Sequence, residues 1–573
     1  MGAGQSSSAE NHAAGVLETK LRGSGDLTVL ERAFECLSLS SDETGKQALI
    51  QRKKLEGCFG LAPLAVRDDG ISQISQIMAS VGSAIVGEYF DAEHETFDWN
   101  QLLEGYQKII EATGVEHLKA LFSVFFRASG TALEDPKSKV SKSENEGEGA
   151  DITSISETQL QNFLLLCWVL MCHTRLPTKG NVTESGGVLE ISLPNINSLM
   201  SAAVSACEKK SKGETSAEQI GREMVFSISN VSSWILSTIP ALSECLVRYV
   251  RAQLTRIPVL SKVDSHDEQN RTTTSQSAES EEAGRTSDDK QEPENAKKDV
   301  LLLHSGTAWA VGLSLKDYTA AEILFRASCG IVEAADVELP TLLYRSSLHG
   351  RGLNRFWTCV DGYRAPVIVL ISAQTQEESS PGAVFVMGTL VSSGFENKES
   401  SYGASGCCLY SVEPLFCPFR TSGKEKYYVY SHKHTPGAVY RAQPANEGIG
   451  LGGSYGKERV WLDKDFATLT VRHHAVDKTY HPGGLVPGQG FSPVSAQMLE
   501  IEIWGLGGVK AEQDQAKFLN RENLFSEQRR KIALFLRGSE QIDLAAFGNW
   551  ENSPEKMMME MMADPNAGRR QER

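Results

Sequence analysis

The sequence predicts an α+β multidomain protein: an all-α N-terminal domain, a disordered acidic linker, and a C-terminal antiparallel β-sandwich with flanking helices and a C-terminal helix. Three observations carry that prediction. Between residues 17 and 260 apolar residues recur at helical spacing, residues 261–299 are almost devoid of apolar side chains, and beyond 300 short β-branched and aromatic runs alternate with Gly, Pro and Ser clusters. A chain of 573 residues is also too long for a single core.

Residues 1–16 are small and polar and are expected to be disordered. They carry one chemical signal: Met1-Gly2 with Ser6 fits M-G-x-x-x-[ST], in which Gly2, freed of Met1, accepts a myristoyl chain. One acyl chain binds membranes only marginally, so contact through Gly2 would be reversible.

The region 17–260 is expected to form a helical, EF-hand-like domain. Leu27, Leu30, Phe34 and Leu37 share one helical face, with Thr28 and Glu31 at capping-box spacing. Helices expected over 77–90 and 99–110 are joined by DAEHETFD, where Asp91, Glu93 and Glu95 occupy EF-hand loop positions one, three and five. Thr96 stands where the sharp turn wants Gly, and Leu102 where a bidentate Glu should close the calcium shell, so a degenerate, metal-free pair is expected. Residues 135–155 read as a flexible loop. The longest apolar run, 163–172 (FLLLCWVLMC), is about half of what a bilayer-spanning helix needs and reads as a buried core helix. Over 232–254, Trp234, Ile235, Ile239, Leu242, Leu246 and Val250 make a broad apolar face, with Pro240 as a kink or boundary. No internal repeat is visible.

Most of the linker, 262–299, holds eleven acidic and six basic side chains, too little apolar surface to offset the entropy of ordering. Behind Asp317 a helix is expected over 320–327, then β-type runs at 367–371, 383–390, 407–411, 426–430, 458–462 and 499–504, the spacing of an antiparallel sandwich. In the last run Leu499, Ile501 and Ile503 alternate with Glu500 and Glu502, so one face is expected buried and the other wet. Residues 509–548 read as an amphipathic helix with Phe518, Leu519, Leu524 and Phe525 on its apolar face and a break near Asn523. The tail 549–573 is expected disordered, with MMMEMM (557–562) as adaptable contact area.

Several chemistries are discouraged. A net charge of −16 argues against a non-specific nucleic-acid binder. Eleven irregularly spaced cysteines without an apolar leader point to free thiols in a reducing, cytoplasmic setting. Gly448-x-Gly450-x-x-Gly453 matches a dinucleotide fingerprint, but the sequence after it reads as a strand, so the glycines are read as places of close backbone passage. Cys407, Cys408, Cys417, His432, His434, His473 and His474 lack zinc-ligand spacing, and neither metal nor cofactor is expected. Cys359 with His349 lacks a third group to hold the base, and reads as a structural thiol. Asp463 and Asp465 could serve acid–base or metal chemistry, but a turn held by Asp side chains at a strand end is the favoured reading.

Four segments occur in one order: LLYRSSLHGRGLNRFW (342–357), SYGASG (401–406), GIGLGGSYGKERVWLDKDF (448–466) and LEIEIWGLGG (499–508). Together they resemble the TLDc family over residues 300–508. The resemblance implies two packed sheets with marginal helices, protection against oxidative damage and, as in several members, binding and regulation of the vacuolar-type proton pump. It implies no settled catalytic mechanism. Its motif positions, structural or partner-binding, are Tyr344, Ser346, Gly350 and Phe356 in the first segment, and Tyr402, Gly403 and Gly406 in the second. Gly450, Gly452, Gly453, Trp461, Asp463 and Asp465 belong to the third, and Glu502, Trp504 and Gly505 to the fourth. Some members carry EF-hand-like helices ahead of this domain. The layout is most similar to a branch described as N-terminally myristoylated and tied to growth signalling at lysosomes, in which a C-terminal extension contributes to partner binding.

The expectation is therefore a non-catalytic regulator of a protein partner, the soluble sector of the vacuolar-type pump, brought reversibly to a lysosomal, vacuolar or other internal membrane through Gly2. The alternatives are a thiol- or carboxylate-dependent enzyme acting on oxidants, and a nuclear or nucleolar adaptor.

Overall fold

Among the described residues, four helix–loop–helix units make up most of the N-terminal half of the protein. The computed structural model describes residues 15, 17–23, 25–38, 48–61, 64–65, 72–90, 94–130, 153–175, 189–190, 193–211, 224–270, 301–315, 318–330, 338–376, 382–434 and 445–536. Gly2, Asp91, Glu93, Asp317, most of 135–155, residues 271–299 and the Met-rich tail lie outside the described residues.

The first unit is α1 (Leu27–Leu37), β1 (Ile50–Gln51) and α2 (Arg52–Cys58); after β2 (Leu64–Ala65) the second is α3 (Ser72–Tyr89), β3 (Thr96–Phe97) and α4 (Trp99–Glu111). The third is α5 (Gly114–Ala128), β4 (Ser154–Ser156) and α6 (Glu157–His173). After β5 (Leu189–Glu190) the fourth is α7 (Asn197–Ser211), β6 (Val225–Ser227) and α8 (Ile228–Thr238). Loops meet in antiparallel pairs, Ile50 opposite Phe97 and Ile155 opposite Phe226, while β2 and β5 pair in parallel. This resembles the pairing of EF-hand loops, made twice, and among the described residues it is a fourfold helix–strand–helix pattern that the sequence does not display. What recurs is one buried apolar residue per loop, Ile50, Phe97, Ile155 or Phe226, too sparse a pattern to register as a repeat.

Helix starts are fixed by capping boxes at Asp98/Gln101, Thr113/Glu116 and Ser156/Gln159, where side chain and backbone satisfy each other's orphan groups. The box expected at Thr28 and Glu31 does not form. Helix α1 begins at Leu27 behind Asp26, whose carboxylate is instead ion-paired to Arg251, and Thr28 Oγ1 donates to the carbonyl of Gly25. Every residue from Phe163 to Cys172 is buried, as expected for a helix apolar on all sides. Among the described residues no helix is long and apolar enough to cross a membrane. Pro240 opens a 3₁₀ turn (Pro240–Glu244) between α8 and α9 (Cys245–Asn270), so α9 extends into the span 261–299 read as linker.

Two helices then precede the sheet, α10 (Ser305–Ser314), which the sequence reading missed, and α11 (Tyr318–Cys329). Gly306 through Ser314 are all buried, because α10 lies between the helical half and the sheet. A Cβ at Gly306 would stand 1.9 Å from the carbonyl oxygen of Asn195. Trp309 Nε1 donates to Met171 Sδ at 3.4 Å, and Ser314 Oγ to Tyr410 Oη at 3.3 Å.

The sheet comprises β7 (Thr341–Arg345), β8 (Val367–Thr375), β9 (Val384–Val391), β10 (Lys398–Tyr402), β11 (Cys408–Glu413), β12 (Cys417–Arg420), β13 (Val429–His432), β14 (Gly448–Leu451), β15 (Val460–Asp463), β16 (Thr468–Val471) and β17 (Val494–Gly505). Helices α12 (Ser346–His349) and α13 (Leu353–Val360) follow β7, and α14 (Gly508–Leu536) ends the described chain. All pairings are antiparallel, in the order β10-β13-β14-β15-β16-β17-β8-β9-β11-β12, with β7 also on β17. The expected sandwich is thus one sheet curled over itself. Strand β17 carries β8 along one edge, and β16 then β7 along the other, with a register break between Met498 and Glu500.

Side-chain alternation in β8 explains its unbroken apolar run. Val369 and Ile371 face the core inside the curl, while Ile368 and Leu370 face a second core continuous with the helical half. Arg420 closes the seam by donating to the carbonyls of Ser237, Thr238 and Ser314 at 2.6, 3.3 and 3.0 Å. The wet face expected for β17 is corrected here: Glu502 is fully buried and Leu499 is 37% exposed. The bulge turns Leu499 outward, and residues 302 and 303 cover Glu502. Helix α14 is unbroken at Asn523 and docks through its first turns. Gln515 Nε2 donates to the carbonyls of Cys359 and Asp361, Phe518 packs on Gly362, and Leu524 is exposed.

Candidate functional site: the motif face of the sheet

The first motif folds as strand, turn and helix because two glycines take left-handed backbone angles, Gly350 at φ 84° and Gly352 at φ 103°. Tyr344 Oη donates to the carbonyl of Gly350 at 2.7 Å, and the amide of Leu353 to that of Lys464 at 2.7 Å. Phe356 is buried against Tyr344, Phe395 and Phe466. Ser346 Oγ donates to Glu500 Oε1 and accepts from the amide of Ile501. Burial pushes the Glu500 carboxyl up, but hydrogen bonds from Ser346 and Ser347 and the charge of Arg345 outweigh it and leave it below its ordinary value. This hydroxyl is therefore a donor to a carboxylate at the strand–helix turn.

The second motif turns at Gly403 (φ 109°), whose Cβ would meet Tyr428, and Gly406 lies against Ser392. Tyr402 Oη shares a 2.5 Å hydrogen bond with Ser431 Oγ and accepts from the amide of Glu396.

The third motif forms β14 and β15, so the glycine pattern is itself a strand rather than a turn opening a helix. A Cβ on Gly448 would sit 2.6 Å from the Trp461 ring, and one on Gly450 2.6 Å from Glu458 Cγ. The half-buried indole of Trp461 lies across this bare backbone. Gly452 (φ 65°) and Gly453 (φ 77°) make room for a buried pair that the sequence reading missed. Asp477 Oδ1 accepts from the amides of Gly453 and Thr479, and Asp477 Oδ2 stands 3.5 Å from Arg459. Arg459 in turn donates to the carbonyls of His481 and Gly483. Only the charge of Arg459 beside a glycine-rich stretch could have flagged the pair.

Asp463 is spent on its turn, accepting from the amides of Ala467 and Thr468 and from Thr468 Oγ1, whereas Asp465 is exposed. An open cleft of ≈ 450 Å³ lies beside Trp461, between Glu447, Glu458, Lys464 and Arg472.

The fourth motif reaches out of the sheet. Glu502 Oε2 accepts from the amides of Leu302 and Leu303 at 3.0 and 3.3 Å and from Trp504 Nε1 at 3.0 Å, while Oε1 stands 3.5 Å from Arg345 Nε. Gly505 leaves space for the Tyr363 hydroxyl, which a Cβ would meet at 2.4 Å.

The other candidates disperse. Cys359 is half-buried and burial raises its thiol, and burial pushes Cys408 to about 12. Among the described residues no group of three His, Cys, Asp or Glu could hold a metal ion. In the EF-hand-like units the bridge residue is the loop's eighth position, so the closing twelfth position falls on Lys54, Gln101, Gln159 and Asn230. In the second unit this moves the closing position from Leu102 to Gln101. All four lack the carboxylate that completes a calcium shell.

Residues 323–507 match the sequence model of the TLDc domain and form such a domain. The match lies inside the span 300–508 read from the motifs, and leaves α10 outside it. The MTOR-associated protein MEAK7 of Danio rerio is 26% identical over 174 residues, 30% of this chain and 34% of that protein. Its namesake in Homo sapiens is 24% identical over 172 residues, 30% and 33% of the two chains, and that in Gallus gallus 23% over 166 residues, 29% and 31%. The chain thus spans about a third of the length of the curated relatives it matches.

Proposed function

We propose that this chain is a non-catalytic TLDc regulator that docks on a large protein assembly, the soluble sector of the vacuolar-type proton pump, and contributes to resistance against oxidative stress. One observation carries the reading: apart from the exposed Asp465, the motif side chains able to do chemistry are engaged in architecture. Ser346 serves Glu500, Asp463 serves its own turn, Glu502 serves the backbone at 302 and 303, and the glycines admit neighbouring rings and carboxylates. A rigid curled sheet seated on a helical platform suits recognition. The relatives are named for association with MTOR, which is consistent with a partner-binding role. In this reading a myristoylated Gly2 supplies reversible contact with the membrane that bears the partner.

The test is co-purification of the tagged full chain from detergent-solubilised membranes. Pump subunits should be retained by wild type and by Gly2→Ala alike, with Gly2→Ala lowering the membrane-bound fraction in cells. Failure to retain any pump subunit removes the proposed partner. Catalytic consumption of peroxide by the purified protein would favour the enzymatic alternative instead.

A further inference from the structure

Two thiols face each other across the seam between the helical half and the TLDc domain. Cys172 lies in the last turn of α6 and Cys329 is the last residue of α11; both are buried, and the Cys172 thiol donates to the Cys329 sulfur at 2.6 Å. The two are 157 residues apart in sequence. Their surroundings divide the labour. Burial pushes the Cys172 thiol well up, whereas the hydrogen bond from Cys172 and the nearby Arg175 guanidinium pull Cys329 down against its burial and the charge of Glu322. Arg175 is fixed by a two-point contact with Glu322 of α11, at 3.0 and 2.6 Å. The two sulfurs are thus unlike in surroundings, charge being favoured on Cys329 and disfavoured on Cys172, the asymmetry that suits attack by one and resolution by the other.

We propose that Cys172 and Cys329 are a redox pair that a hydroperoxide converts to a reversible disulfide, fastening α6 to α11. The Cys329 thiolate attacks the peroxide, an S–O bond forms as the O–O bond breaks, and the departing oxygen takes a proton to leave as water or an alcohol. Cys172 then loses its proton and attacks the sulfenic sulfur, the S–S bond forms, and the hydroxyl leaves as a second molecule of water. Two electrons pass from the thiol pair to the peroxide, and a dithiol reductant returns them by exchange. Cys329 is 4% exposed at the end of α11, where Gly330 (φ 65°) turns the chain immediately after it.

The test uses the purified, reduced full chain. It is treated with a few equivalents of hydrogen peroxide, denatured in N-ethylmaleimide, digested and mapped by mass spectrometry. A second buried pair, Cys167 and Cys245, interacts within the helical half and serves as the internal competitor. The expected result is a peptide pair joining 172 to 329, lighter by two hydrogens and separated by dithiothreitol, which persists in Cys245→Ala and vanishes in Cys329→Ser. Maleimide on both Cys172 and Cys329 at every dose overturns the proposal. So does a bond between 167 and 245 alone, or oxidation of Cys329 to sulfinic acid without any bond. Wild-type mapping decides the matter even where a variant fails to fold.

Discussion

Replacing Glu502 by Gln tests whether one buried carboxylate ties the start of the α10 segment to the sheet. The side chain is fully buried, and its Oε2 accepts three N–H groups, from Leu302, Leu303 and Trp504. Gln keeps an acceptor for them but loses the charge, and its amide nitrogen must face Arg345 Nε, which stands 3.5 Å from the carboxylate in wild type. Hydrogen bonds to a charged group are stronger than neutral ones by about 1 kcal/mol each, so three of them amount to about 3 kcal/mol. Arg345 retains Glu500, which limits any further loss. Unfolding of so large a protein need not be two-state, so the readout is hydrogen exchange of the amides at 302 and 303 in the native state. About 3 kcal/mol corresponds to exchange faster by about a hundredfold. Glu502→Leu strands three donors and should exceed that. Exchange in Glu502→Gln within threefold of wild type would refute the anchoring role.

Gly452→Ala places a Cβ at positive φ, 2.6 Å from Asp477 Oδ2, and should cost more than 2 kcal/mol, roughly, whereas Gly456→Ala, at φ 79° with open space around it, should cost only about 1 kcal/mol; paired denaturant titrations check the contrast. Millimolar calcium should leave the melting temperature unchanged because Lys54, Gln101, Gln159 and Asn230 stand at the closing positions, and a calcium-dependent rise would contradict that register. Burial, aided by Arg256, pulls His173 down from 6.5 to about 4. The unfolded chain therefore binds the proton first, so this contribution is complete above pH 6.5 and lost as pH falls toward 4, by at most about 3 kcal/mol. Urea midpoints between pH 7 and 5 should fall in wild type and flatten in His173→Leu.

What the sequence made legible follows from the range of the forces involved. The all-round apolar run 163–172 and the break at Pro240 are local signals, and both elements stand where expected. Strand β14, of sequence GIGL, escaped notice because glycine weakens local strand preference; only the indole of Trp461 laid across it explains why glycine is there. Helix α10 was missed because its residues are small and mixed, and its partners beyond α11 lie roughly a hundred residues away in both directions. The alternation in LEIEIW correctly buried Ile501 and Ile503, but nothing local could show that the backbone at 302 and 303 would cover Glu502. Likewise the EF-hand-like loops kept their bridge residues and not their ligands, so their kinship is visible in strand pairing alone.

The uninterrupted core beneath α10 bears on how this protein can be dissected. Cutting at the family boundary would strip the cover from Ile368, Leu370, Tyr410 and Phe416, residues that lie against helices the TLDc match does not include. A truncated sheet would then present a broad greasy plane, and anything it captured from a lysate would report stickiness before selectivity. Partner mapping on this chain is therefore better served by point substitutions in the intact molecule than by excised fragments.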